Sequence, residues 1–188
     1  MQRPWNADVE RPITPNQTVG PYFRIGLSHL YIPEVAGTGD RWMIKGSVLD
    51  GDGNPVNDAM IEIWHADAQG AYSPAPDGSG RRIPGFGRVA TDAAGVFQFA
   101  TTKPGRVPGL NGALQAPHLA VMVFMRGLLK HLVTRVYFPD ERSNLEDPIL
   151  NLVPAERRAT LVANKTGPGT LEWNVILQGR DETVFFDY

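Results

Sequence analysis

From residue 42 onward the chain alternates. Trp42, Ile44, Gly46 and Val48 interleave with Met43, Lys45, Ser47 and Leu49, a period of two that predicts a strand. Asp50-Gly51-Asp52-Gly53 follows as a tight turn, because glycine tolerates positive φ and aspartate can accept from the backbone just after it. Ala59 to His65 predicts the next strand, with Ile61, Ile63 and His65 on one face and Met60, Glu62 and Trp64 on the other. Further strands are expected at about Gly87 to Thr91, Gly95 to Thr101, His118 to Met125, His131 to Phe138, Leu171 to Gln178 and Thr183 to Asp187. The Gly- and Pro-rich stretches Gln69 to Phe86 and Pro104 to Pro117 are predicted to be long loops. A helix is expected to start near Pro154, where proline suits a first turn, and to run to about Ala163.

The first 40 residues lack such periodicity. Pro4, Pro12, Pro15, Pro21 and Pro33 recur too often for a helix or a central strand, so this segment is predicted to be an extended arm. Short strands separated by turn signals at regular spacing argue for an all-β chain. The predicted architecture is a mixed β-sandwich over residues 41–188, with long loops and one short helix, preceded by an arm over residues 1–40.

Composition narrows the partners more than the chemistry. The 188 residues carry 18 Lys+Arg against 20 Asp+Glu, a net charge of −2 without a basic run, which argues against nucleic acid or an anionic membrane. The longest apolar run, Leu119 to Met125, is much too short to span a bilayer. Met1 to Gly20 carries charges and prolines where a secretory signal needs an apolar stretch. With no cysteine there is no disulfide framework and no thiolate metal site, and a cytoplasmic location is the expectation.

Most candidate constellations fail on spacing. Asp50 to Asn54 begins like a calcium loop, but Pro55 stands where glycine is needed and Ile61 where a bidentate glutamate is needed. His65 and Asp67 could pair, more often as a structural contact than as a catalytic dyad. His29, His65, His118 and His131 include no close pair at metal-ligand spacing. Arg135 has uncharged strand neighbours and needs partners for its five donors, either a carboxylate of the same chain or an anionic ligand. Tyr72, in Gly70-Ala71-Tyr72-Ser73, reads by default as an aromatic that packs a loop.

Several segments in order along nearly the whole chain resemble one family. They are Thr14-Pro15-Asn16-Gln17-Thr18-Val19-Gly20-Pro21-Tyr22, Ile61 through Tyr72, Gly85-Phe86-Gly87-Arg88 and Thr102-Lys103-Pro104-Gly105. Ala116-Pro117-His118-Leu119-Ala120, Leu132 through Phe138 and the tail Glu182 through Asp187 continue the series. Together they resemble the intradiol ring-cleaving dioxygenases, whose iron-bearing chains hold non-haem Fe(III) with two tyrosines and two histidines. Carried over, those ligand positions fall at Tyr72, Val107, His118 and Ala120. Valine and alanine have no lone pair to donate, and two donors hold a hard trivalent cation poorly. The family's substrate-facing arginine, three residues before the first histidine, is Gln115 here.

The departures agree with the family members built from two homologous chains, of which one, the beta chain, bears the iron at the subunit interface. The resemblance then implies an iron-free chain, with no catalytic or metal residue of its own, that lends Thr18, Gly20, Pro21, Tyr22 and Arg135 to the substrate cavity. It implies Fe(III) on the partner beta chain, a hetero-oligomer, and a small aromatic substrate. The implied reaction is oxygen insertion between the two hydroxyl-bearing carbons of 3,4-dihydroxybenzoate. Two other expectations compete: a self-sufficient iron dioxygenase, and a β-sandwich interaction module with no part in catalysis.

Overall fold

The structure is a computed structural model that describes residue 15 and residues 17–73 and 83–187. In chain order the strands are β1 (Arg41–Leu49), β2 (Met60–Trp64), β3 (Phe86–Ala90), β4 (Val96–Thr102), β5 (Val107–Pro108) and β6 (Leu114–Gln115). They continue with β7 (His118–Phe124), β8 (Leu132–Tyr137), β9 (Asn164–Gly167), β10 (Thr170–Glu172) and β11 (Val175–Ile176). One sheet is antiparallel throughout, in the order β3-β2-β7-β8. The other is mixed: β1 pairs antiparallel with β4 and parallel with β10 and β11, and β9 flanks β10. The expected mixed β-sandwich is therefore the observed one.

Alternation explains why the two sheets stack. Ile44, Val48, Phe97, Phe99, Leu171 and Val175 point inward from the mixed sheet, and Ile61, Ile63, Leu119, Val121, Val123 and Val136 meet them from the antiparallel one. Gly46 lets β1 pass the segment after β10 at close range, since a Cβ there would lie 1.7 Å from the Trp173 carbonyl oxygen. With the odd-numbered positions of β7 inside, His118, Ala120 and Phe124 fall on the outer face of the antiparallel sheet. Trp64, Arg135 and Tyr137 share that face through their cross-strand registers. Both edges of this sheet are closed by isolated bridges, Ile32 to Arg88 on β3, and Phe186 to Val133 and Val162 to Tyr137 on β8.

Four expectations need correction. The described part of the arm is not simply extended: α1 (Gly20–Gly26) forms where Pro21 occupies the first turn, a position that tolerates a missing N–H. Residues 32–35 are woven into the sandwich, and Val35 is a core residue at 1% exposure. The helix expected from Pro154 is a 3₁₀ segment, Ala155–Leu161, with Pro154 as its cap residue. Thr183 to Asp187 makes one bridge instead of a strand, while β9, which has no apolar alternation, was not expected. Within the Pro104 to Pro117 loop, β5 and β6 form a small hairpin. Residues 74–82 of the other predicted loop, and Thr14 and Asn16 of the arm motif, lie outside the described residues. Among the described residues no helix is long and apolar enough to cross a membrane.

Candidate functional site

The chemistry-bearing side chains gather at one end of the outer face. Register sets Trp64, Ala120 and Arg135 in a row across β2, β7 and β8, with His118 opposite Tyr137 one step along. Tyr72 reaches the row from its loop and stacks on Trp64, ring centroids 6.2 Å apart and planes 7° from parallel. Asp67 shapes that loop: its Oδ1 accepts from the N–H groups of Gln69 and Ala71, and Gly105 N–H donates to its carbonyl. Gly70, at φ 82°, has room for no Cβ, which would lie 2.0 Å from the Arg106 carbonyl oxygen. The Tyr72 loop is thereby pressed against the strand that carries Val107.

Gln115, paired with Val107 in the β5–β6 hairpin, closes the constellation. Its Oε1 accepts from Arg135 Nη1 at 2.6 Å. The Arg135 guanidinium also lies 5.9 Å from the Phe186 ring centroid. Beside Arg135 and Gln115 opens a cavity of about 640 Å³ with mainly apolar walls, including Pro108, Pro148, Ile149 and Leu152. An arginine and an amide beside apolar walls suit a carboxylate on a hydrophobic body.

Below the row lies a residue that the sequence reading missed. Asp147, at 0% exposure, accepts hydrogen bonds from Ala116 N–H, Tyr137 Oη–H, Ile149 N–H and Leu150 N–H, at 2.7 to 3.2 Å. It joins the start of β7, the end of β8 and the turn at residues 147–150. The Asp147-Pro148 step before Ile149-Leu150 is a turn signal that could have drawn attention to it.

His118 follows from this anchoring. Its Nδ1–H donates to the Ala116 carbonyl at 2.8 Å, leaving Nε2 as the acceptor. Burial, reinforced by the Arg135 charge, pushes the imidazole down to about 4, so the ring is neutral at pH 7. Burial raises the Tyr72 phenol while the Arg135 charge opposes it, and Tyr137 is raised in the same way. His65 belongs elsewhere: buried on the inner side, its ring bonds Ala66 O and Thr101 Oγ1, both at 2.7 Å. With Asp67 spent on its own turn, His65 and Asp67 form neither a dyad nor a structural contact with each other.

Thr18 to Tyr22 sit at the other end of the same outer face. Thr18 Oγ1 accepts from Gly127 N–H in the β7–β8 turn, and Phe23 of α1 packs on Phe124, centroids 5.3 Å apart. Gly20 opens the helix at φ 63°, and Tyr22 stands 81% exposed. The backbone of Pro21 lies in α1, and its side chain lies outside the described residues. Phe124 is four residues along β7 from Ala120, about 13 Å at ~3.3 Å per residue. Within one chain, then, Arg135 and the arm residues do not converge.

The four positions carried over from iron-bearing relatives do converge, but they do not fit Fe(III). Tyr72 and His118 are the donors; Val107 and Ala120 have none, and burial works against the phenolate that a ferric ion needs. Among the described residues no group of three or more His, Asp or Glu side chains could hold a metal instead.

Comparison with known proteins agrees with this geometry. Residues 28–179 match the family model described as "Dioxygenase". The chain is 46% identical to the protocatechuate 3,4-dioxygenase alpha chain of Burkholderia cepacia over 194 residues, covering 93% of this chain and 96% of that one. It is 38% identical to the Pseudomonas putida alpha chain, covering 94% and 97%, and 33% identical to the Burkholderia cepacia beta chain, covering 77% and 67%. In fold it is similar to the dioxygenase domain of a carbohydrate-binding fusion protein from Streptomyces sp. SirexAA-E. The TM-score there is 0.61 at 24% identity, covering 94% of this chain and 96% of that one. It is likewise similar in fold to 3-chlorocatechol 1,2-dioxygenase from Rhodococcus opacus 1CP, with TM-score 0.60 and 22% identity, covering 78% and 64%. A shared sandwich, a family model spanning most of the sequence and near full-length relatives leave one conclusion: this chain belongs to the intradiol ring-cleaving dioxygenase family.

Proposed function

We propose that this chain is the iron-free alpha subunit of a two-chain protocatechuate 3,4-dioxygenase, working in the cytoplasm on 3,4-dihydroxybenzoate. The observation that carries the reading is the near full-length match to alpha chains, 46% against 33% for the beta chain of the same organism. The loss of donors at Val107 and Ala120 supports it from the chemistry. In this reading Fe(III) resides on the homologous beta chain, and the product is 3-carboxy-cis,cis-muconate. This chain supplies shape and charge to the substrate cavity. Arg135 is suited to a carboxylate, and Thr18, Gly20, Pro21 and Tyr22 offer stiff backbone and a flat aromatic wall. The exposed Tyr22 and Ile25 of α1 favour an arm that is covered by the partner.

Co-expression with a homologous chain that keeps both tyrosines and both histidines tests the reading. The expected result is a stable complex with one iron per pair and O₂ uptake that depends on 3,4-dihydroxybenzoate. The chain alone should show neither. Stoichiometric iron and turnover in the isolated chain would make it self-sufficient, and failure to associate would make it an interaction module.

A further inference from the structure

The four carried-over positions share their neighbourhood with a cation. Arg135 is the direct cross-strand neighbour of Ala120, so both side chains rise from the same face of the sheet. Its guanidinium is tied to Gln115, the register partner of Val107. Its charge acts on both remaining donors, lowering His118 and opposing the rise of Tyr72. Ala120 opposite it in register, Val107 through Gln115, and the two remaining donors through its charge all neighbour this one guanidinium.

We infer that the Arg135 guanidinium is the resident cation of this pocket and keeps metal ions out independently of the missing donors. The reasoning is electrostatic and steric together. A permanently charged planar group held by Gln115 uses the volume opposite Ala120, and a trivalent ion beside it would meet like charge in a half-buried site. Restoring ligands alone does not remove that charge. Tyrosine at 107 and histidine at 120 would complete a four-donor set on paper, yet the ion would still have to displace a bonded arginine. Gln115 fits the same account, since its carbonyl oxygen accepts from the guanidinium where a second cation would repel it.

The test compares two variants of this chain, each co-purified with the iron-bearing partner, with iron counted per pair of chains by atomic absorption. Val107→Tyr/Ala120→His should gain almost no iron over wild type. Val107→Tyr/Ala120→His/Arg135→Gln should gain close to one further ion per pair, with added tyrosinate-to-Fe(III) visible absorbance that disappears when Tyr72 is changed to Phe. Both variants share the same partner, so its own iron cancels; if the chain does not pair, the same comparison is made on the isolated chain, so failure of the subunit role and failure of this inference remain distinguishable. Equal gain in the two variants, high or low, overturns the inference. A single change guards against misfolding of the multiple variants. Arg135→Gln alone, with two donors left, should bind Ni²⁺ at this pocket at least about tenfold more tightly than wild type, a gain that His118→Gln abolishes. An unchanged Ni²⁺ affinity also overturns it.

Discussion

The two ends of the outer face of the β3-β2-β7-β8 sheet are built on opposite principles. At one end Arg135, Gln115, His118, Tyr137 and Asp147 are mutually bonded or in electrostatic contact, and the deepest of them has four donors on one carboxylate. At the other end α1 rests on one aromatic pair, one threonine hydroxyl and the Arg24 hydrogen bond to the Thr91 carbonyl, with Tyr22 and Ile25 turned to solvent. The first end is complete within the chain. The second has too little internal contact to be rigid by itself and gains most from a covering partner. The proposed function would use both: a fixed charge in a known place, and an adaptable arm to close over the interface.

The comparison breaks most readily at Asp147. Asp147→Ala strands a buried hydroxyl and three backbone N–H groups, each costing ~1–3 kcal/mol when unsatisfied. A loss of about 4 kcal/mol in the denaturant-unfolding free energy is expected, with weaker association following from it. A loss under about 1 kcal/mol, within the range of ordinary surface changes, would mean that solvent replaces the carboxylate and that this end is not self-contained.

Acid should act on the same end. His118 titrates at about 4 in the folded chain against an ordinary 6.5, so between those values the unfolded chain binds a proton that the folded one refuses. Stability is therefore intact above about pH 6.5 and falls as pH drops toward 4, by on the order of 3 kcal/mol for the full gap. His65, lowered by burial as well, adds to the loss in the same direction. Unfolding curves for wild type and His118→Gln, taken every half unit of pH, should diverge in slope across that window. Parallel curves would place the proton on another group.

How the ends could be read from sequence differs for the same reason. β1 was legible because burial on one face forces a period of two, whereas β2, β7 and β8 showed through their apolar, β-branched and aromatic content. Their registers, and hence the meeting of Ala120 with Arg135, come from the whole sandwich and have no local signature. Asp147 escaped notice because two of its donors are backbone N–H groups of its own turn and the other two, Ala116 N–H and the Tyr137 hydroxyl, come from other segments. Arg135 stood out because a charge between apolar neighbours is anomalous on any strand. The α1 helix was hidden by Pro21, read as a breaker although proline is tolerated in a first turn.

Arg135 itself sharpens the contrast. In the assembled enzyme Arg135→Ala should reduce kcat/KM for 3,4-dihydroxybenzoate by roughly 30-fold, about 2 kcal/mol, and spare catechol, which has no carboxylate. The quantity to follow is the ratio of the two kcat/KM values in assemblies of equal iron content. A ratio unchanged within about twofold, well under 1 kcal/mol, would confine Arg135 to this chain's own pocket, with no reach to substrate.

The smallest effect belongs to the arm. Phe23→Ala removes an aromatic pair worth ~0.5–1.5 kcal/mol and some half-buried area. If α1 docks as a separate unit, that change releases residues 20–26 without weakening the sandwich beneath them. Hydrogen exchange should then show lost protection over 20–26 while the global unfolding midpoint stays within about 0.5 kcal/mol of wild type, the scatter of ordinary surface substitutions. Partner affinity should fall about tenfold, ~1.4 kcal/mol, because ordering the freed helix is charged to the binding step. The opposite pattern, global destabilisation with unchanged affinity, would make α1 part of the cooperative core and erase the distinction between the two ends. Arg24 gives that outcome a physical route: it donates to the Thr91 carbonyl at 2.9 Å and lies one residue beyond Phe23, so helix and sheet are tied at a second point. One hydrogen bond of ~1 kcal/mol is too little to hold a seven-residue helix whose ordering costs ~1–2 kcal/mol per residue, so the local pattern is the expected one.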